Sequence, residues 1–407
     1  MRTNSSILGA QAALRQARAL RDVAAAKLLP ALNGSASAQR NTTGGNNASK
    51  HFATGVDATW ELDLFGVNRD GLAASEAAAQ ASAASLGDVQ VSIAAEVALD
   101  YITLGASQRR LAIASDNLAS QQETLQITQW RLQAGLVTVL EAEQARAAAE
   151  QTGAQLPPLQ TSIEQSSHAL AVLTGQPPAA LSTALAVAVA LPQAADDLAL
   201  RFPAETLRQR PDVRAAERQV AAAMARLAEA KAASLPDFRL GGSLGVGVAT
   251  IRSLTSGTSV VSALLASVSV PLFDGGALRA QARFQDAALD QASAAYRAVV
   301  LTALKEVEDA LVALRGNRER LLHLQEAASA ATNAALLARQ RFSSGLVDFQ
   351  VVLETGRTAL NTQDSLAATS ADVSADHVRL YKALGGGWEP DNDVPPRDAG
   401  IHRSNAQ

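Results

Sequence analysis

The residues best suited to binding or chemistry lie in two short stretches of one pattern. RLQAGLV occupies residues 131–137 and RFSSGLV occupies residues 341–347, so the second follows the first by 341 − 131 = 210 residues. Acids follow at Glu141 and Glu354. Glycine is favoured where a helix stops and the chain reverses, so each stretch is predicted to be the tip of a helical hairpin. Taken singly, each stretch is more simply an ordinary helix end, and both acids are solvated residues of a helix face.

Few other residues suggest a reaction. The five histidines (51, 168, 323, 377 and 402) lack metal-ligand spacing, and the absence of cysteine excludes disulfides and thiolate metal sites. No nucleophile–base pair or nucleotide loop is recognisable, so an enzyme would need a site that the sequence does not reveal. The net charge of −4 argues against a nucleic-acid binder, which usually carries a basic patch. We therefore predict no enzyme activity, no cofactor, no metal and no nucleic-acid partner.

Composition points to long, thin helices. The 407 residues include only 8 Phe, 3 Tyr and 3 Trp, too few to fill a wide globular core. Alanine, the best helix former, supplies much of the 48% hydrophobic content. Proline is excluded from helix interiors at about 3 kcal/mol, and none occurs between Pro30 and Pro157 or between Pro271 and Pro390. Two stretches of more than a hundred residues are therefore free to be mostly helical.

An apolar heptad pattern indicates an internal duplication. One seam comprises Val300, Leu304, Val307, Leu311, Leu314 and Leu321. Subtracting 210 from the last five gives Ala94, Val97, Tyr101, Leu104 and Leu111, so the seam recurs in the first half. Such spacing indicates coiled-coil packing, and its recurrence indicates two structural repeats.

The same patterns predict the elements of each repeat. The first repeat, 1–175, is predicted to hold a helix at 3–28, a β-hairpin at 31–65, a long helix at 67–131 and a return helix at 138–174. A Pro/Ala-rich linker at 176–210 follows. The second repeat, 211–385, is predicted to hold a helix at 211–234, a hairpin at 237–273, a long helix at 277–341 and a return helix at 348–385, before a disordered tail at 386–407. A helix of ~65 residues is on the order of 95 Å long.

Period-2 alternation supports the strands. In HFATGVDATWELDLF (51–65), apolar Phe52, Val56 and Trp60 lie on one face and polar His51 and Asp57 on the other. The segment 32–41 gives the weakest strand prediction. Strands of about ten residues suit a tilted membrane barrel, but four are too few to enclose a lumen. If these strands lie in a membrane, several chains must share one barrel.

The N-terminal segment differs from a secretory signal. In MRTNSSILGAQAALRQARALRD (1–22) the apolar positions are interrupted by Gln11, Arg15 and Arg18. The apolar stretch 179–192 is too short to cross a bilayer as a helix, so no helical membrane span is predicted.

The motifs taken together resemble one family, the outer-membrane efflux factors. They are TWELDLFG (59–66), LRQRPDVRAAERQVAAA (207–223), SLPDFRLGGSLG (234–245), VPLFDGG (270–276) and the two Gly-Leu-Val tips. These are the TolC-like channels, and the match is closest to the OprM/NodT branch. The resemblance covers roughly residues 5–388 and is specific as a set.

The resemblance implies a mainly α fold with a β-hairpin in each repeat, assembled as a homotrimer. Each chain would supply four strands to a shared 12-stranded barrel in the outer membrane of a Gram-negative bacterium. A long α-helical coiled-coil tunnel would project into the periplasm, with the linker at its equator. The implied function is a passive exit duct in a tripartite efflux pump for drugs, other small molecules or metal ions. Its implied partners are a periplasmic membrane-fusion adaptor and an inner-membrane RND-type transporter.

The resemblance also assigns roles to single residues. The adaptor-docking positions are Arg131, Gly135, Leu136 and Val137 in the first tip, and Arg341, Gly345, Leu346 and Val347 in the second. Phe342 and Glu141 occupy the aromatic and acid positions of a periplasmic gate, although the family's arginine is replaced here by Val347. Glu354 falls at a pore-facing acid, which a threefold axis would repeat as a ring of carboxylates. Trp60 is the expected membrane-interface anchor.

Two departures leave other interpretations open. Relatives carry a signal peptide, often followed by a lipidated cysteine, and this sequence shows neither, as if it began inside the first helix. A truncated, non-functional remnant is therefore one alternative. A coiled-coil scaffold that uses only the helices is another, and it leaves the alternating strands unexplained.

Overall fold

The computed structural model describes residues 3–43, 47–187, 192, 209–248 and 260–388. The first half contains α1 (Ser5–Ala26), β1 (Ala31–Thr43), β2 (Asn47–Glu61), α2 (Val67–Gln133), α3 (Val139–Gly153) and α4 (Leu156–Leu173). The second half contains α5 (Pro211–Ala232), β3 (Asp237–Val248), β4 (Val260–Ser269), α6 (Ala277–Ser343) and α7 (Phe349–Ala383). A 3-10 turn, Pro178–Leu181, lies in the described part of the predicted linker. The rest of that linker between 188 and 208 lies outside the described residues, apart from Pro192.

The two long helices have equal length. α2 and α6 have 67 residues each, and both continue two residues beyond the predicted ends. Buried residues of α6 are mostly alanines, including Ala303, Ala310, Ala331 and Ala335. Small side chains let neighbouring helices approach closely, which explains how so few aromatic residues suffice for packing.

The return segment of the first repeat corrects one prediction. It was predicted as one helix over 138–174, but α3 ends at Gly153 and α4 begins at Leu156. Pro157 and Pro158 lie in the first turn of α4, where proline is tolerated because those N–H groups have no partner within the helix. In the second repeat no proline interrupts α7, which is a single helix of 35 residues.

The strands form one antiparallel sheet in the order β1-β2-β3-β4. The central pair joins the two repeats, with Trp60 of β2 opposite Leu240 of β3. β1 covers the weakly predicted segment 32–41. The strands β1, β2 and β3 have 13, 15 and 12 residues, more than the length of about ten residues expected from the sequence. The hairpin connections at 44–46 and 249–259 lie outside the described residues. Because the strand order is β1-β2-β3-β4, β1 and β4 are the two edges of the sheet.

An aspartate stabilises the start of each long helix. The Asp63 carboxylate accepts the backbone N–H groups of Asn68 at 3.2 Å and Arg69 at 2.9 Å. The Asp274 carboxylate accepts those of Gly276 and Leu278 at 2.8 and 2.7 Å. Carboxylates at helix N-termini satisfy free N–H groups and interact favourably with the helix dipole. The two aspartates are 274 − 63 = 211 residues apart, so the helix start is repeated like the tip.

The Asp63 contact predicts a pH-dependent stability. Burial by itself raises the Asp63 pKa, but the hydrogen bonds from Arg69 and Asn68 and the Arg69 charge together lower it below the usual value. A lowered folded pKa stabilises the protein above the unfolded pKa of ~3.9, and that stability is lost as pH falls through the folded value. We expect Asp63→Asn to cost about 0.5–1 kcal/mol at pH 7, because asparagine keeps an acceptor but loses the charge that interacts with the helix dipole and with Arg69. In thermal unfolding followed by circular dichroism, the difference from wild type should shrink below pH 4; a difference independent of pH would contradict this role.

The chain divides into two compact units. One comprises residues 10–86 and 212–300 and contains the sheet, most of α1 and α5, residues 67–86 of α2 and residues 277–300 of α6. The other comprises residues 1–9, 87–211 and 301–407. It contains α3, α4, α7 and the remainder of α2 and α6. Each unit therefore contains residues from both sequence repeats.

Two further findings bear on the sequence predictions. Among the described helices, α2 alone contains an 18-residue window apolar enough to cross a membrane, with a mean hydropathy of 1.3 and 28% of the window buried. No helical membrane span was predicted from the sequence; the window belongs to an alanine-rich helix of 67 residues, far longer than a single span. The predicted disordered tail begins with described residues, since Trp388 packs where a Cβ on Gly87 would overlap its indole. Residues 389–407 lie outside the described part.

Candidate functional site

The two Gly-Leu-Val stretches are matching helix ends. We call residues 131–141 tip 1 and residues 341–351 tip 2. The N–H of Leu136 donates to the Arg131 oxygen and that of Gly135 to the Leu132 oxygen, at 2.8 and 3.0 Å. Leu346 and Gly345 make the same bonds to Arg341 and Phe342, also at 2.8 and 3.0 Å. This pair of bonds defines a Schellman motif, which reverses the chain after a helix.

Both turns depend on glycine. Gly135 and Gly345 each have φ of 72°, in the left-handed region that other residues rarely adopt. A Cβ added at either position would meet no atom within 4 Å. Backbone conformation, and not space, therefore selects glycine here.

This conformation leads to a stability prediction with an internal control. Gly135→Ala and Gly345→Ala should each destabilise the protein by about 1 kcal/mol, because left-handed backbone disfavours a Cβ. Gly316→Ala, in the exposed interior of α6 with nothing within 4 Å of its added Cβ, should instead stabilise by about 0.5–1 kcal/mol. The shift in thermal midpoint measures both effects, and equal shifts for the tip and control variants would contradict the account.

The return helices begin differently in the two tips. In tip 1 the Glu141 carboxylate accepts the Thr138 N–H at 2.6 Å and the Thr138 hydroxyl at 3.0 Å. The Thr138 Oγ1 accepts the Glu141 N–H in return, which completes a capping box. In tip 2 the corresponding Asp348 makes no side-chain cap bond. The predicted gate acid Glu141 is thus engaged within its own helix start.

Arg131 joins the two tips. Its guanidinium donates to the Phe342 oxygen at 3.2 and 3.3 Å and to the Ser343 oxygen at 3.1 Å. It also lies over the Phe342 ring, with Cζ 4.5 Å from the centroid. A cation at a helix C-terminus satisfies its last carbonyl groups and interacts favourably with the helix dipole. The position of Arg131 was predicted as part of a docking surface, but its bond to the other tip was not.

A small hydrophobic core supports the junction. Phe342 and Phe349 are 7% and 1% exposed, and their ring centroids are 5.4 Å apart at 53°. Ala145, Ala338 and Val352 complete the buried cluster, against which Val347 packs. The predicted gate aromatic, Phe342, is therefore a buried residue of the single chain.

Each tip exposes large apolar side chains. Leu136 and Leu346 are 74% and 73% exposed at matching positions. Tip 1 also exposes Val139 and Leu140 on the first turn of α3. Exposed apolar groups clustered at the end of a helical hairpin are typical of a protein-binding surface. Of the predicted docking residues, Leu136 and Leu346 are therefore exposed, whereas Val137 and Val347 are half-buried.

A polar groove lies beside the tips. It encloses about 560 Å³ and is lined by residues of α2, α3, α6 and α7. Glu354 is exposed and lines it together with Arg339 and Arg357. A groove of mixed charge and many amides is suited to polar contacts with a protein segment or with solvent.

Trp60 lies in the unit that contains the sheet, far along the chain from both tips. Its indole N–H donates to the Leu28 oxygen at 3.0 Å, just after α1, and its side chain is 38% exposed. An aromatic ring with one polar bond and one exposed apolar face suits a membrane–water interface.

Several buried or partly buried polar contacts were not predicted from the sequence. Arg110 of α2 and Asp364 of α7 form two bonds of 2.6 and 3.0 Å. Asp376, 1% exposed, accepts from Asn317 and Arg379, both at 2.7 Å. Arg210, from the RPDVR motif, is 6% exposed and binds Glu306 at 2.7 Å and the Ala383 oxygen at 2.8 Å. Arg210 lay in a recognised motif, and Asp376 and Arg379 are three residues apart on one helix face. The pairs Arg110–Asp364 and Asn317–Asp376 have no local sequence signal.

Comparison with a protein-family model matches residues 2–176 and 202–386 to the family described as outer membrane efflux protein. The two matched segments correspond to the two repeats.

Individual relatives agree. The chain is 33% identical over 407 residues to the pyoverdine export outer membrane protein OpmQ of Pseudomonas putida, covering 96% of this chain and 85% of OpmQ. It is 30% identical over 344 residues to Nodulation protein T of Rhizobium leguminosarum bv. viciae, covering 84% and 71%. Among solved structures, the outer-membrane channel OprN superposes with a TM-score of 0.89 at 36% identity, covering 95% of this chain and 88% of OprN.

Proposed function

The chain belongs to the outer membrane efflux protein family and is an outer-membrane efflux channel; we propose that three copies share one barrel and that their tips dock onto a periplasmic adaptor. The family resemblance and the TolC-like fold class predicted from sequence are both confirmed.

The sheet is the observation that carries the proposed assembly. Its four strands leave β1 and β4 as edges, and all ten residues of β4 are exposed. In hydrocarbon, each unsatisfied backbone group costs several kcal/mol, so an open sheet of this kind would be strongly disfavoured. Pairing β4 of one chain with β1 of the next satisfies both edges, and three chains give 3 × 4 = 12 strands. Trp60 then anchors the barrel at the membrane interface.

The helical part lies in the periplasm in this proposal. Leu136 and Leu346 contact a membrane-fusion adaptor, with Arg341 exposed on the same tip as Leu346. Gly135 and Gly345 set the two turns, and Arg131 joins the tips. An RND-type transporter in the inner membrane supplies the energy, because the channel itself is a passive duct. By analogy with the named export role of OpmQ, the cargo is a small molecule. Glu354, exposed on α7, forms a ring of three carboxylates that attracts cations.

In this proposal, Phe342 and Glu141 contribute to the gate by stabilising the conformation of the tips. Phe342 supports the stacked Arg131, and Glu141 holds the start of α3. The gate thus depends on the rigidity of each tip. It does not require a direct bond between Phe342 and Glu141.

Site-specific cross-linking tests the docking. The sequence contains no cysteine, so Leu136→Cys and Leu346→Cys each supply one attachment point for a photo-reactive probe. Leu322→Cys, 65% exposed in the middle of α6, is the matched control. Irradiation of cells should give a cross-linked adaptor, identified by mass spectrometry, for the two tip variants only. Adaptor captured equally at Leu322, or at neither tip, would reject the docking surface.

A further inference from the structure

The duplication pairs Arg131 with Arg341, but the two arginines differ in their contacts. Each lies in the last turn of a long helix, two residues before its end. The turns that follow are the same in hydrogen bonding and in glycine conformation. Arg131 binds the last carbonyl groups of the other long helix, at Phe342 and Ser343. Arg341, in contrast, is exposed.

The acceptor groups show the same asymmetry. Subtracting 210 from Phe342 and Ser343 gives Leu132 and Gln133, the last residues of α2. Within the part of the chain that the structure describes, no side chain donates to the oxygens of Leu132 and Gln133. Among the described residues, one chain therefore contains one tip contact of this type: Arg341 is exposed on tip 2, and the Leu132 and Gln133 oxygens of tip 1 accept from no side chain, although the Leu132 oxygen accepts the backbone N–H of Gly135.

We propose that Arg341 of one chain binds the carbonyl oxygens of Leu132 and Gln133 in an adjacent copy. This inference rests on the proposed trimer. Within a chain, Arg131 of tip 1 donates to tip 2. Between chains, Arg341 of tip 2 donates to tip 1 of the next chain. Such a head-to-tail contact closes into a ring when the rotation between copies allows it. Three chains then form a ring of six tips, joined alternately by Arg131 and Arg341.

The two kinds of joint differ in one residue. Arg131 stacks on the Phe342 ring, whereas the matching position beneath Arg341 is Leu132, which has no aromatic face. A cation over an aromatic ring is attracted by its quadrupole, so the joint within a chain has a contact that the joint between chains lacks. The joints between chains are therefore the weaker ones, and the ring opens there first.

Cysteine pairs test the proximity directly. In the cysteine-free chain, Gln133→Cys with Arg341→Cys should be joined between chains by a bis-maleimide reagent that spans the length of the replaced arginine side chain, giving covalent dimers and trimers on a denaturing gel. Arg131→Cys with Ser343→Cys should be joined by the same reagent within one chain and leave its mobility near that of the monomer. A trimer on an unboiled gel without the Gln133–Arg341 cross-link would overturn this contact while leaving the trimer intact. Absence of the trimer would overturn both proposals.

Channel recordings test the energetic difference. In planar bilayers, Arg341→Ala should make the purified trimer open more often than wild type. Leu132→Phe supplies the missing ring and should reduce the opening equilibrium about two- to fivefold, by analogy with exposed cation–π pairs. In the Arg341→Ala background, Leu132→Phe should have no such effect. Opening unaffected by Arg341→Ala, or reduced by Leu132→Phe whether or not Arg341 is present, would refute the contact.

Discussion

Efflux should fall at least tenfold when Leu136 and Leu346 are both replaced by aspartate. Each leucine is more than 70% exposed at the point where the helix reverses, so neither substitution disturbs a core. Truncation of central apolar residues in interfaces commonly costs 2 kcal/mol or more, which weakens binding about 30-fold. A buried carboxylate without a partner would add a further penalty.

Two measurements check this effect. The resistance of cells to a toxic pump substrate reports efflux, and the amount of adaptor that co-purifies with the channel reports docking. Ser344→Asp adds the same charge to tip 2 without removing an apolar group, and it should retain most of the efflux. Trimer on an unboiled gel must remain for both variants. Full efflux by the double leucine variant, or equal loss with Ser344→Asp, would show that these leucines are not the docking contacts.

Phe349→Ala should destabilise the tips by about 3–5 kcal/mol, the usual cost of removing a buried phenylalanine. The Phe349 side chain is 1% exposed and packs on Phe342, which in turn supports Arg131. Removal of this ring leaves a cavity beneath the junction between the tips. The loss should therefore be local to residues near 125–145 and 338–353.

Hydrogen exchange of the tip segments measures this loss. The duplication supplies the control: Val139, at 349 − 210 = 139, occupies the matching position in tip 1 and is 64% exposed. Val139→Ala should change exchange little, because an exposed side chain buries little apolar area. Equal effects of the two substitutions would contradict the assigned core.

Local patterns predicted much of this fold because its main elements are governed by local rules. The absence of proline and the heptad seam predicted α2 and α6 to within two residues at their C-terminal ends. Gly135 and Gly345 predicted both reversals, since left-handed backbone is a property of the residue itself. The single return helix over 138–174 was wrong because Pro157 and Pro158 were not used as a helix start.

Contacts between distant segments were beyond the sequence. Arg131 was singled out, yet nothing local shows that it binds carbonyl groups 211 and 212 residues away. The burial of Phe342 and the Asn317–Asp376–Arg379 cluster likewise depend on which helices are neighbours. Helix propensity and periodicity define faces of a helix, but the partner of each face is set by tertiary packing.

The shared barrel is the central claim, and the heat stability of the assembly tests it most directly. The chain would be expressed behind a secretory signal sequence, and the outer-membrane fraction would be run on a gel with and without boiling. The account predicts a band of three chains in the unboiled sample that converts to a monomer on boiling. A monomer in the unboiled sample, or protein found only in the soluble fraction, would contradict it, because four strands with two open edges cannot form a channel alone.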